Sequence, residues 1–515
     1  MSGQGYPPLV AGEPTALPGR PSASARTPLR DLADWLADDT DVRRLGDLDV
    51  SVSGMSLSTQ RIQAGDLYAA LPGSRLHGAT FAADALAAGA VAVLTDEEGA
   101  RMLAPGCAAL VVERPRHVLG RLAARIYGEP AASMRMIGVT GTQGKTTTTR
   151  LLDDGLAAAG ITAAVIGTVG TRVAGQDIKT SLTTPEAPDL HGLFALMRER
   201  GVRACAMEVS SHALVLGRVD GVVFDVATFL NLGRDHLDFH TDVEDYFAAK
   251  ASLFTPERAR VGLTNIDDEF GRRLLSEASI PMQTFSVHGA ADWRAIDITL
   301  GGDGSTFTVV GPGGVEVPVR VPVPGAFNVA NALAALAFAA LAGLDVDNVA
   351  AGIGLGPGVP GRLEQVDAGQ DFVLVVDYAH KPDAVEAVLT TLRPLTDGQL
   401  IVVLGAGGDR DPGKRAIMGE IAAGLADVLI VTDDNPRTED PAEIRAAVLS
   451  GTAQARAEVV EIGDRRDAIA DAVRRARPGD VVLIAGKGHE TGQEIEGEIH
   501  PFDDRVVAAE AVSQR

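Results

Sequence analysis

The chain has 515 residues, 46% of them hydrophobic and 22% charged, a size and composition suited to about three ordinary globular domains. Its 46 Lys and Arg against 69 Asp and Glu give a net charge of −23, which argues against nucleic acid as the main partner, because phosphate backbones need a basic patch. Small anionic substrates remain compatible, since they need only local positive charge. Two cysteines, Cys107 and Cys205, are too few for a disulfide framework and point to a reduced, cytoplasmic setting.

In chain order, residues 1–28 carry six prolines among Gly, Ala and Ser, so a loose tail is expected there. It shows no signal-peptide pattern, and no apolar run in the chain is long enough to span a bilayer. Helical spacing begins at Leu29-Arg-Asp-Leu-Ala-Asp-Trp-Leu36. β-like runs follow in GDLYAALPG from Gly65, FAADALAAGAVAVLTD from Phe81 and AALVVE from Ala108. Together they read as a small α/β domain over 29–133. A second unit over 134–358 opens at Met136 and is expected to alternate strands and helices to about residue 356. The Gly/Pro-rich GLGPGVPGR from Gly354 suits a hinge. A third unit over 359–515 has Val/Ile/Leu-rich strands within 371–380, 399–409, 427–437 and 480–490. Helices are expected to start near Pro382, Gly413, Pro441 and Arg465. That alternation indicates a parallel sheet covered on both faces, with a ligand site beyond the carboxyl ends of its strands.

TGTQGKTT (140–147) is the strongest single signal. A strand, a glycine turn and a helix start present backbone amides and a helix dipole to phosphates. In it Gly141, Thr142 and Gly144 form the turn, Lys145 reaches the β/γ-phosphates, and Thr146 ligates Mg²⁺ ahead of Thr147. Val139 stands where the full phosphate-loop pattern has its first glycine. Downstream, MEVSSH ends a strand with Glu208, and TFLNLGRDHLDFH ends another with Asn231, Asp235 and His236. Mg²⁺ takes one or two protein carboxylates beside substrate phosphates, which suits Glu208 next to Thr146. On chemistry alone, His236 is more often structural than a ligand, and Lys250 in DYFAAKASLF reads as a solvated helix lysine.

TGTxGKTT, EVSSH, NLxRDHLDxH and the lysine of YFAAK, in this order and spacing, resemble the central domain of the Mur ligase family. The resemblance implies a three-domain α/β architecture: a UDP-binding domain, a central phosphate-loop ATPase domain and a C-terminal Rossmann-like domain. It implies that Lys145, Glu208, His236 and Lys250 are catalytic. It further implies that Lys250 is carbamylated and joins Thr146, Glu208 and His236 around Mg²⁺. GAFNVANALAA supplies Asn328 and Asn331 to the adenine side, where NIDD (265–268) also resembles the family. GRLEQV and VDYAHKPDA bring Arg362, Asp377, Tyr378 and His380 onto ATP. Core or loop filler is the competing reading for Tyr378 or His380 taken alone.

The N-terminal run MSLSTQRIQAGDLYAALPG resembles the UDP-binding domain shared by the MurE and MurF types, with Ser58 at the uridine side. Leu57-Ser58-Thr59 departs there from the usual Asp-Ser-Arg. TTPEAP gives Thr183 and Thr184 as muramyl-peptide residues, with Ser210 and Arg218; Leu216 replaces a common glutamine. GAGGDRDPGKR, DNPR and AGKGHE resemble the MurE amino-acid pocket, which assigns Arg410, Asp434, Asn435, Pro436, Arg437, Gly486 and Glu490 to meso-diaminopimelate. A planar guanidinium suits the far carboxylate of that amino acid. The implied reaction adds it to UDP-N-acetylmuramoyl-L-alanyl-D-glutamate, using ATP and Mg²⁺, through an acyl phosphate, in peptidoglycan precursor synthesis. Rival readings are a folylpolyglutamate synthetase, an inactive nucleotide-binding protein and a generic phosphate-loop NTPase.

Overall fold

Three large sheets organise the chain, drawing their strands from residues 43–111, 135–321 and 364–485. The structure is a computed structural model and describes residues 19–515 apart from 23, 181 and 238. In the first sheet, Gly54–Ser56, Asp66–Ala69, Ala92–Thr95 and Ala109–Val111 run parallel, and Arg43–Leu45 adds an antiparallel edge. The helix Leu29–Ala37 buries Leu29, Leu32, Ala33 and Leu36 completely. Their i, i+3, i+4, i+7 spacing makes one apolar stripe, which packs with Leu119, Leu122 and Ile126 of the helix Pro115–Ile126.

Residues 1–18 of the expected loose tail lie outside the described residues. Arg20, Ser22 and Thr27–Pro28 of it are pinned. Arg20 is 8% exposed and donates two 2.7 Å hydrogen bonds to Asp66 and one of 2.6 Å to the Met55 carbonyl. The Ser22 amide donates to Glu199 at 2.7 Å, and Thr27–Pro28 pairs with Ser51–Val52. One buried, fully partnered arginine outweighs a composition that has little else to bury.

The second sheet has eleven strands. Ala163–Gly167, Ala204–Glu208, Arg135–Thr140, Phe224–Phe229, Ala259–Asn265 and Met282–Ser286 lie side by side in parallel. Arg135–Thr140 is flanked by Ala204–Glu208 and Phe224–Phe229, so the loops after all three meet at one edge. The expected strand–helix alternation fails over 293–321. There Trp293–Gly301, Gly304–Gly311 and Val315–Val321 form an antiparallel meander. Period-two patterning in Val-Glu-Val-Pro-Val-Arg-Val and glycine turns at 301–304 and 311–314 dictate hairpins rather than helices.

The third sheet is parallel over Val373–Asp377, Val481–Ala485, Leu400–Leu404, Val428–Val431 and Glu458–Glu461, with Glu364–Gln365 antiparallel at its edge. Its covering helices start at Pro382, Gly413, Pro441 and Arg465. Val481–Ala485 lies between Val373–Asp377 and Leu400–Leu404, so Gly486–Glu490 emerges between the other two loops. Between the sheets, Gly361 passes so close to the next loop that a Cβ would sit 2.1 Å from the His489 amide nitrogen. Its φ of +66° reinforces the need for glycine.

Candidate active site

A cavity of about 490 Å³ opens where the carboxyl edges of the second and third sheets face each other. Its floor is the turn that links Arg135–Thr140 to the helix Lys145–Ala158. Gly144 takes φ +86°, and a Cβ there would meet Asn331 Oδ1 at 2.4 Å. Asn231 clamps the turn by accepting from the Thr142 and Gln143 amides at 3.1 and 2.9 Å. Lys145 Nζ folds back onto the Gly141 and Thr142 carbonyls at 2.7 and 3.1 Å. Loss of hydration pulls its pKa down to about 8, opposed by Glu208 and reinforced by the Lys381 ammonium. Val139 lies fully buried in the strand, so the turn begins only after it.

Glu208 is almost wholly buried and accepts from the Thr146 hydroxyl at 2.9 Å, the Thr168 amide at 2.8 Å and the Thr168 hydroxyl at 3.0 Å. His236 is half-buried, at φ +53°, with Nε2 3.0 Å from Asp235. Burial takes its imidazole down to about 3, with Asp235 opposing and Lys381 and Lys145 reinforcing. Lys250 is not a solvated helix lysine: it is 1% exposed, and its Nζ donates to the Gly141 carbonyl at 3.0 Å. Burial and the neighbouring Lys145 push its pKa well below the usual lysine range. Lys145 and Lys250 therefore converge on one carbonyl oxygen. Among the described residues no cluster of three or more His, Cys, Asp or Glu side chains is placed to hold a metal. The donors at the turn are one carboxylate and one hydroxyl, a set that fits Mg²⁺ completed by phosphate oxygens and water and does not fit Zn²⁺.

The other expected nucleotide residues gather at the same cavity. Asn328 and Asn331 line it from the helix Ala326–Leu341, joined by a 3.1 Å hydrogen bond, and Thr147, Asn265 and Asp267 lie beside them. From the third sheet come Arg362, Asp377, Tyr378 and His380. Asp377 accepts from the Leu363 and Ala379 amides, both at 2.7 Å, while burial raises its pKa. Arg362 stacks 4.5 Å over the Tyr378 ring and donates to the Thr146 hydroxyl at 3.3 Å. Lys381, which sequence reasoning passed over, forms an ion pair with Asp235 across the seam.

The muramyl-peptide candidates divide. Thr183 and Ser210 line the cavity, and Thr183 meets the Thr168 hydroxyl at 3.1 Å. Thr184 is fully buried, donating to the Glu208 carbonyl at 2.8 Å and accepting from the Ser210 amide at 3.2 Å, so it holds the loop rather than facing the cavity. Arg218 pairs with Glu186 at 2.8 Å. Ser58 lies on the first domain, outside the cavity lining, where its amide donates to Ser56 Oγ at 3.1 Å.

The amino-acid candidates form a separate cluster. Asn435 Nδ2 donates to Glu490 at 2.9 Å, and the buried Lys487 ammonium donates to both, at 2.9 and 3.0 Å. Asp434 is buried against Gly486, where a Cβ would collide at 2.3 Å. Pro436 is buried too, and its carbonyl packs under Gly408. Arg437 takes φ +54°; its Nε donates to Glu494 at 3.0 Å and its Nη1 to the Gly408 carbonyl at 2.6 Å, which leaves Nη2 for a ligand. Arg410 does not join: it is exposed and donates to the Asp409 carbonyl at 3.2 Å. Of eight described non-glycine residues at positive φ, His236, Leu363, Asp409 and Arg437 sit in or beside this machinery, where strain concentrates. Tyr378 lies between the cluster and the cavity, its ring 5.2 Å from that of His489, while burial and then the Glu490 carboxylate raise the pKa of its phenol.

Residues 139–339 match the Mur ligase middle domain, 361–488 the Mur ligase glutamate ligase domain, and 51–127 the Mur ligase family catalytic domain. The chain is 55% identical over 504 residues to the UDP-N-acetylmuramoyl-L-alanyl-D-glutamate–2,6-diaminopimelate ligase of Streptomyces avermitilis, covering 96% of this chain and 98% of that one. The chain belongs to the Mur ligase family. The enzyme of the same name from Corynebacterium efficiens is 51% identical, over 90% of this Mur ligase and 91% of its own length. A solved structure of a ligase of that name superposes with a TM-score of 0.67 at 33% identity, covering 95% of this chain and 99% of the other. As a Mur ligase it is an ATP-using ligase of three-domain architecture. No described helix of this Mur ligase is long and apolar enough to cross a membrane. Sequence reasoning missed Thr168, Lys381 and Lys487. Lys381, inside the VDYAHKPDA run, and Lys487, inside the GKGHE run, carried a readable signal, and Thr168 carried none.

Proposed function

We propose that this Mur ligase joins meso-2,6-diaminopimelate to UDP-N-acetylmuramoyl-L-alanyl-D-glutamate in peptidoglycan precursor synthesis, in the cytoplasm. The observation that carries the reading is the Asn435–Arg437–Glu490 cluster, one tyrosine ring away from a phosphate-loop cavity. Lys145 and Arg362 bind the triphosphate from opposite sheets, while Asn328 and Asn331 orient the adenine side. Glu208 and Thr146 hold one Mg²⁺, and His236 with a carbamylated Lys250 holds a second. Carbon dioxide adds to the neutral amine, the form that the burial of Lys250 favours, which supports the carbamate. Mg²⁺, when bound, offsets charge on the transferring phosphoryl group. Thr183 and Ser210 orient the D-glutamate carboxylate, with Thr184 and Arg218 holding their loop and Ser58 meeting the uridine on the first domain. That carboxylate takes the γ-phosphoryl group of ATP. The diaminopimelate amine then attacks the acyl phosphate and expels phosphate. Glu490 receives an ammonium and Arg437 the distal carboxylate. The test is phosphate release with the UDP-muramyl dipeptide and a panel of amino acids. Strong preference for meso-diaminopimelate is expected, and comparable turnover on L-lysine overturns the assignment.

A further inference from the structure

The loop that ends in His236 is gripped from the other domain. Asp235 pairs with Lys381, which stands at the N-cap of the helix Pro382–Leu392, and both side chains are largely withdrawn from solvent, at 15% and 16% exposure. Beside them, Gly233 lies so near the same helix that a Cβ would stand 2.6 Å from Asp383 Oδ2. Lys381 lines the cavity, and its charge is felt by Lys145, His236, Lys250 and His380. Its ammonium therefore sits among the groups that ring the phosphate-loop mouth, although it belongs to the amino-acid-binding domain.

We propose that Lys381 is a phosphoryl-contacting cation which the C-terminal domain delivers to the ATP site, and that Asp235 holds it there until nucleotide arrives. The inference deepens the proposed function and rests on ATP entering this cavity. A point-charge lysine on a long stem can turn from a carboxylate to a phosphoryl oxygen a short distance away. In the transfer step an oxygen of the D-glutamate carboxylate bonds to the γ-phosphorus, the β–γ bridging bond breaks, and ADP leaves with that electron pair. Lys381 donates hydrogen bonds to the moving phosphoryl group throughout and gives up no proton. Because it arrives with the other domain, phosphoryl transfer is tied to the closure that also brings the attacking amine.

Nucleotide binding without the muramyl substrate tests this directly. ADP and a β,γ-imido ATP analogue are titrated, with Mg²⁺, into wild type, Lys381→Met and Lys381→Arg. Loss of a charge-assisted contact to the γ-phosphoryl group should weaken the analogue about ten-fold or more in Lys381→Met, with ADP changed less than about three-fold. Lys381→Arg should keep most of the analogue's advantage. Equal weakening of both nucleotides, or of neither, overturns the proposal and leaves Lys381 a strap between domains. Turnover of the UDP-substrate by wild type is scored separately. Its absence beside the expected nucleotide pattern would remove the substrate reading and leave the Lys381 assignment standing.

Discussion

Replacing Arg437 by Gln separates substrate selection from folding. The guanidinium serves Glu494 through Nε and the Gly408 carbonyl through Nη1, so Nη2 is the group left for a distal carboxylate. Glu494 is 40% exposed, so leaving it unpaired costs less than about 1 kcal/mol, because water re-solvates it. The contact proposed to the substrate is of another kind, a charged donor to a carboxylate, with Arg437 only 21% exposed. Such a hydrogen bond contributes about 1.5–3 kcal/mol, which corresponds to a fall of about 10- to 150-fold in kcat/KM for meso-diaminopimelate. L-Lysine, with no distal carboxylate, should lose little. The assay is phosphate release at varied concentrations of each amino acid, with ATP and UDP-substrate saturating. Equal losses on both amino acids, or none on diaminopimelate, would show that Arg437 shapes the loop through its strained backbone and does not read the ligand.

Lys250→Ala should be almost inactive and should recover activity with millimolar acetate, a free carboxylate standing in for the carbamate; failure of rescue in the phosphate-release assay counts against modification. The Lys145 pKa near 8 makes the free enzyme's loop cationic below that value and neutral above it. Affinity for the imido analogue should therefore be flat at low pH and fall toward ten-fold per unit above about pH 8; calorimetric titrations giving a constant affinity across that range would refute it. Arg20→Ala strips Asp66, 2% exposed, of its cation, although the Gln63 amide still donates to Asp66 at 2.9 Å. A loss of about 3–5 kcal/mol is expected, seen as an earlier first transition on heating, and an unchanged melting profile would show the pair to be dispensable.

The C-terminal unit was the most legible part of the sequence, because each buried strand is a continuous apolar run and four of its helices open on Pro, Gly or Arg after a polar turn; the last helix, Asp504–Ser513, was not foreseen. The edge strand Glu458–Glu461 escaped, since Glu-Val-Val-Glu is short and only half-buried. The 293–321 meander escaped although its alternation was plain to see, because the strand–helix rhythm before it was carried forward too far. In the site, Thr168 was missed because it touches a motif from elsewhere in the chain, while Lys381 and Lys487 stood inside VDYAHKPDA and AGKGHE without being singled out, their partners being set by the fold. Thr168 reaches Glu208 from forty residues away in sequence, and Lys381 reaches Asp235 across 146. Neither spacing leaves a local pattern. Arg20 was hidden by composition, which averages over a single decisive side chain.

Tyr378 has a consequence beyond either site it borders. Its ring lies under the Arg362 guanidinium, which bonds to the phosphate-loop threonine, and its phenol feels the charge of Glu490 in the amino-acid cluster. A shift of Arg362 toward a nucleotide would therefore act through one rigid aromatic plane on the carboxylate proposed to meet the incoming ammonium. Thermodynamic linkage makes such a connection symmetric: the factor by which nucleotide changes diaminopimelate affinity must equal the factor by which diaminopimelate changes nucleotide affinity. Tyr378→Phe keeps the stacking and removes the phenol whose titration feels Glu490. It should leave each ligand's separate affinity nearly intact while driving both factors toward unity together.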